Sequence, residues 1–142
     1  MNHSTRTAKY SIAEDYLYGQ NGKEQDLEKA YSHIAELASL GLGGRLCAML
    51  ADYYDFNDVS HEAFNFHLKA ADYGYGPSQF KVAETLCASL TSISPRLDDV
   101  VKGIGYYTLA LHNNNFKKTQ DEIEQINQSI DLYANMFNGY DT

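Results

Sequence analysis

Five histidines, two cysteines and nineteen carboxylates are the side chains of this 142-residue sequence best suited to chemistry. The histidines are His3, His33, His61, His67 and His112. His61 and His67 stand six apart, which places them on different faces of one helix. There is no His-Glu-x-x-His and no Cys-x-x-Cys, the spacings that gather metal ligands. Cys47 and Cys87 lie in the apolar contexts "GRLCAML" and "AETLCAS", which suit two reduced, buried thiols. A disulfide or a reactive nucleophile is the alternative. Neighbouring carboxylates, Glu14-Asp15 and Asp98-Asp99, diverge by ~100° on a helix and cannot flank one bond. "YGQNG" and "YGYGP" are glycine-bearing turns without phosphate-loop spacing, and no serine sits in a nucleophile elbow. The expectation is a non-enzyme with no catalytic residue, no cofactor and no metal.

Composition narrows the partners. The net charge is −8 and is unevenly spread. Residues 1–118 hold 14 acids against 11 bases, whereas residues 119–142 hold five acids and no Lys or Arg. An acidic chain repels phosphate backbones, so direct nucleic-acid binding is not expected, and a basic protein partner is. Twelve tyrosines without a tryptophan suit repeat cores and protein interfaces, where a ring is buried and its hydroxyl stays wet. No apolar run approaches the ~20 residues of a membrane helix. The N-terminal "MNHSTRTAKYS" lacks the apolar centre of a secretory signal, which points to a cytoplasmic protein.

The elements that would position these side chains come in repeats. The apolar-alanine pairs Ile12-Ala13, Leu50-Ala51 and Val82-Ala83 step by 38 and 32 residues. Lys29-Ala30, Glu62-Ala63 and Lys102-Gly103 step by 33 and 40, and Gly41, Gly74 and Asn114 follow in the same phase. Three copies of a helix pair are therefore predicted. In the first, Ala8, Ile12, Ala13 and Tyr16 form one stripe, and Ala30, Ile34, Leu37 and Ala38 form its partner. Asp26 suits the partner's N-cap and Gly41 its left-handed stop. The second copy carries Leu46, Leu50, Ala51 and Tyr54, then Ala63, Phe66 or His67, Ala70 and Ala71, with Gly74 as its stop. The third opens with Pro77 in a first helical turn, continues through Val82, Ala83 and Leu86, and passes Ser94-Pro95 in a loop. Its second helix starts at Asp98 or Asp99, carries Ile104, Tyr107, Ala110 and Leu111, and ends at "HNNN", where an asparagine takes the left-handed turn. Beyond it, Thr119-x-x-Glu122 is a capping box. Ile123, Ile126, Ile130, Tyr133 and Phe137 then draw one apolar stripe on a long helix that Gly139 ends. That helix either seals the last repeat or docks a partner or a second copy of the chain.

These fragments resemble the Sel-one-like repeat family, relatives of the tetratricopeptide repeats. The likeness rests on Ala8, Ile12, Ala13, Tyr16, Gly19, Asp26, Lys29, Ala30, Ile34, Leu37, Ala38 and Gly41 in the first copy. In the second it rests on Leu50, Tyr54, Ala63, Leu68, Lys69, Ala70, Ala71 and Gly74, with "LKAADYG" the nearest fragment. His33 falls on the family's aromatic position. The third copy departs, with Gly103 for alanine and no closing glycine. The resemblance spans residues 8–114 and implies an all-α fold: a short α-solenoid of three helix-turn-helix repeats used as a protein-interaction scaffold, without catalytic residues. The chain then divides into an N-terminal extension (1–7), the repeats (8–115) and a C-terminal capping helix and tail (116–142).

Superposing the three first helices aligns Glu14 with Asp52 and Glu84, so an acid follows the apolar-alanine pair in every copy. The next position gives Asp15, Tyr53 and Thr85, and the one three further on gives Tyr18, Phe56 and Ala88. First helices line the concave surface of a helix-pair solenoid. Glu14, Asp15, Tyr18, Asp52, Tyr53, Phe56 and Glu84 are therefore the candidate partner-binding residues, an ordinary solvated face being the alternative. A small, acidic chain without catalytic groups fits an immunity or inhibitor protein that neutralises a basic toxin or effector. A general adaptor or secretion chaperone holding a peptide in the groove is the other reading. The chain is expected to be a monomer, or a homodimer through its last helix.

Overall fold

The computed structural model describes residues 3–38, 43–91 and 93–141. Among them the chain is all-α, with seven α-helices, a 3₁₀ turn at Ala88–Thr91 and no strand. The helices are α1 (His3–Tyr18), α2 (Leu27–Ala38), α3 (Gly44–Phe56), α4 (Ser60–Asp72), α5 (Gly76–Cys87), α6 (Leu97–His112) and α7 (Gln120–Asp141). The three expected helix pairs are α1–α2, α3–α4 and α5–α6, each packed together. No helix among the described residues is long and apolar enough to cross a membrane.

The chain divides into two compact units, Met1–Gly74 and Tyr75–Thr142, at the boundary between the second and third copies. In the first unit α1 packs on α2, α3 packs on α4, and α3 also meets α1 and α2. Leu17, Ile34, Leu37, Leu46 and Leu50 are fully buried there. An aromatic group joins the helices: Tyr54 stacks on Phe66 at 5.4 Å, Tyr31 meets Phe66 edge-on, and the Lys69 ammonium lies 4.5 Å from the Tyr31 ring centroid. His33 stacks on Tyr16 at 5.7 Å, in the packing role expected of it. In the second unit α5 packs on α6, and α7 lies against α6 and the 3₁₀ turn. Ala83, Cys87, Tyr107, Ala110 and Ile126 form its core. Of the α7 stripe, Ile126 is fully enclosed, while Ile130 and Tyr133 pack at the core's edge.

The repeated alanines set the approach of the helices. Ala13, Ala51 and Ala83 on the first helices, and Ala30 and Ala63 on the second, are all excluded from solvent. Gly103 takes the place of Ala30 and Ala63 in the third copy for a steric reason. A β-carbon there would lie 2.5 Å from Cys87 Sγ and 3.1 Å from the Ala83 carbonyl oxygen. The departure from the repeat pattern is thus a tighter crossing of α5 and α6.

The helix ends follow their capping chemistry in part. Asp26 Oδ1 accepts the Lys29 amide at 3.0 Å, the expected N-cap of α2. Gly74 has φ of +92° and its amide donates to the Ala71 carbonyl, the expected left-handed stop of α4. Gly41 lies outside the described residues. Thr119 and Glu122 form the capping box: the Glu122 amide donates to Thr119 Oγ1 at 3.1 Å and the Thr119 amide to Glu122 Oε1 at 3.0 Å. Three expectations need correction. Asp98 and Asp99 lie inside the first turn of α6, whose N-cap is Arg96, and there they complement the helix dipole's positive end. At the other end of α6, Asn113 is extended with φ of −75°, and its Oδ1 accepts the Asn115 amide at 3.0 Å. A side-chain turn, not a left-handed asparagine, therefore stops that helix. Finally, α7 continues through Gly139 to Asp141.

Candidate functional site

Tyr10, Glu14 and Tyr18 recur every four residues along α1 and share one face of it. Where α1 meets α3, Arg45 reaches this face at Tyr10, and the charge of Asp52 acts on it at Tyr18. Arg45 Nη1 donates to the Tyr10 hydroxyl at 3.3 Å. Burial raises the Tyr10 phenol above its ordinary value, Arg45 opposes the shift and Glu14 adds to it. Tyr18 is raised by burial first, then by the negative charge of Glu14 and Asp52, against Arg45. Glu14, Tyr18 and Asp52 therefore share one local field.

Tyr18 is the last residue of α1 and Phe56 the last of α3, at matching places in their copies. Both rings face water, with exposures of 49% and 87%. Phe56 adds little to the core and Tyr18 is half-exposed, and aromatic surface left open to water is suited to anchor a partner.

Two candidates on the same helices have internal work. Asp15 is buried, and its carboxylate accepts from Asn21 Nδ2 at 2.7 Å, Lys23 Nζ at 3.2 Å and Gln20 Nε2 at 3.3 Å. These bonds hold its carboxyl below the ordinary carboxylate value, Asn21 contributing most. The side chain organises the turn after α1, where Gly19, Asn21 and Gly22 all take positive φ. Asp15 is therefore a turn anchor and is corrected from the partner-binding set. Tyr53 is half-buried, stands edge-on to Tyr54 at 6.1 Å and donates its hydroxyl to Gln25 Oε1 at 3.3 Å. Glu84 belongs to the second unit. It stands at the surface of α5, its carboxyl raised by partial burial and lowered in turn by Lys81.

Sequence reasoning missed a second group on α3 and α4. His67 is buried, with its Nε2 3.5 Å from Asp52 Oδ1 and 3.6 Å from Asp55 Oδ2. The i, i+3 spacing of Asp52 and Asp55 was a readable signal for one shared helix face. Their meeting with His67 across two helices was not. Both cysteines are buried free thiols pushed up to about 11 by burial, which removes them as nucleophiles. No protein-family model, no curated protein and no solved structure matches the chain.

Proposed function

We propose that this chain is a non-catalytic protein-interaction module, an immunity or inhibitor protein that binds and neutralises a basic toxin or effector in the cytoplasm. The observation that carries this reading is the pair of water-facing rings, Tyr18 and Phe56, ending two adjoining helices beside Glu14 and Asp52. Aromatic anchors supply binding energy, and carboxylates beside them select a basic surface and speed its approach. Glu84 repeats the acidic position on α5. The resemblance of the helix pairs to Sel-one-like repeats, which serve as protein scaffolds, adds to the reading.

The test begins with affinity capture from the native host and continues with the purified partner. Binding should be one-to-one, with an association rate that falls steeply as salt rises. Glu14→Lys with Asp52→Lys should abolish it while circular dichroism stays unchanged. Tyr18→Ser with Phe56→Ser should do the same by removing the anchors. Binding that survives both sets of changes refutes the proposal. Displacement of the partner by short extended peptides would turn the reading to a peptide-holding adaptor.

A further inference from the structure

The second helix pair breaks a rule that the other two keep. In the repeat register, Leu17, Asp55 and Cys87 are equivalent on the first helices, and Ile34, His67 and Tyr107 on the second. Leu17 and Ile34 are fully buried in the first copy, as are Cys87 and Tyr107 in the third. The second copy replaces that apolar couple with a carboxylate and an imidazole. Enclosing an imidazole costs stability that an apolar side chain would not lose, while Asp55 stays partly open to water. Their presence needs a reason other than packing.

The geometry supplies one. His67 is 5% exposed, and its Nε2 faces Asp52 and Asp55, whose side chains remain 72% and 40% open to water. One donor atom from each of the three lies within 4.8 Å of the others. The His67 to carboxylate separations, 3.5 and 3.6 Å, are long for a hydrogen bond, which centres near ~2.9 Å. They are close to the ~3.3 Å between two donors that each sit ~2.0–2.1 Å from one tetrahedral ion. Asp52 and Asp55 occupy the last turn and a half of α3, so both reach across to α4 from one side.

We propose that Asp52, Asp55 and His67 form a binding site for a divalent transition metal of the zinc type. One imidazole nitrogen with two carboxylate oxygens suits Zn²⁺ or Co²⁺, whereas Ca²⁺ and Mg²⁺ favour oxygen alone. The buried His67 fixes the floor, and the open carboxylates admit the ion. Three protein donors leave a coordination position for water or for a group brought by a partner. The site needs no partner to form, so its failure and that of the interaction reading are separable.

The experiment uses the full chain, stripped with a chelator and titrated with Co²⁺ and then Zn²⁺. Visible absorption reports the cobalt geometry and calorimetry the stoichiometry. One equivalent of Co²⁺ should bind with the intense bands of a four-coordinate ion, and Zn²⁺ should displace it. Loss of an outer-shell group costs a metal site about 10–100-fold, so Asp55→Asn, which replaces a charged carboxylate donor by a neutral amide oxygen, or His67→Gln, which removes the imidazole nitrogen, should weaken binding by ~100-fold. His61→Gln, which alters an exposed histidine outside the cluster, should leave it unchanged. Asp55 is partly exposed, so its variant keeps the fold and the test stands even where His67→Gln does not. Absence of one-to-one binding by the wild type, or unchanged binding by Asp55→Asn, overturns the proposal.

Discussion

Replacing Gly103 by alanine pits two known effects against each other in one methyl group. In a helix interior alanine is favoured over glycine by ~1 kcal/mol. Against this, the new β-carbon would lie 2.5 Å from Cys87 Sγ, 3.1 Å from the Ala83 carbonyl oxygen and 3.2 Å from the Cys87 amide nitrogen. The sulfur could turn aside, but Cys87 is fully enclosed, and the two backbone atoms move only if α5 moves. Overpacking a core costs about 1–3 kcal/mol, and a backbone contact belongs at the upper end. The net expectation is a loss of ~2 kcal/mol, which lowers Tm by roughly 8–16 °C in a unit of this size. Gly105→Ala is the internal control: it lies on the same helix with nothing within 4 Å of its added carbon. That variant should gain up to ~1 kcal/mol. Urea titration followed by far-UV circular dichroism measures both. Combining Gly103→Ala with Cys87→Ala should recover ~1–2 kcal/mol relative to the sum of the single changes. If Gly103→Ala is as stable as the wild type, or moves with Gly105→Ala, the close crossing of α5 and α6 is refuted.

Asp15→Asn should flatten the acid limb of the stability curve. The carboxyl is lowered in the folded chain, so its contribution is fully present above the ordinary value of ~4 and disappears as the pH falls through the lowered one. Unfolding measured between neutral pH and pH 2 should therefore show less acid loss in the variant than in the wild type, and equal slopes would count against the turn-anchor role. Thr119→Ala removes half of the capping box and should cost ~1 kcal/mol, read as a shift in urea midpoint without a change in slope. Cys47 and Cys87 should resist a thiol reagent at pH 8 and react promptly once urea is added, since burial holds both thiols near 11. Prompt reaction of either in the folded chain would contradict its burial.

Much of this architecture was readable because it is periodic or local. The alanines at 13, 51 and 83 recur because each helix pair must approach closely, and their burial bears this out. Gly74, Asp26 and the Thr119–Glu122 box each act within a few residues, so spacing alone reveals them. What stayed hidden depends on how two helices are rotated against each other. Asp55 and His67 are twelve residues apart on different helices, and no single-helix period brings them together. Asp15 and Glu14 look alike as adjacent acids, yet one turns into its own loop while the other lies half-buried beside Tyr10 and Tyr18. Gly103 read as a degenerate alanine because the sulfur it accommodates belongs to the neighbouring helix. Gly139 failed as a stop because glycine interrupts a helix only at a modest cost, which α7 absorbs.

The neighbour-on-neighbour packing of the helices bears on how the chain comes into being. Each principal contact joins segments that follow one another closely along the chain. Little loop entropy must be lost before such contacts form, and chains of this kind fold on the microsecond to millisecond scale. Synthesis is slower, at about 5–20 residues per second. The helix pairs of the first unit, ending at Gly74, therefore have time to pack before all the residues of the second have been added. Folding from the N-terminus as the chain emerges keeps apolar helix faces covered, and a chain truncated after Gly74 should already show protected amides in α3 and α4.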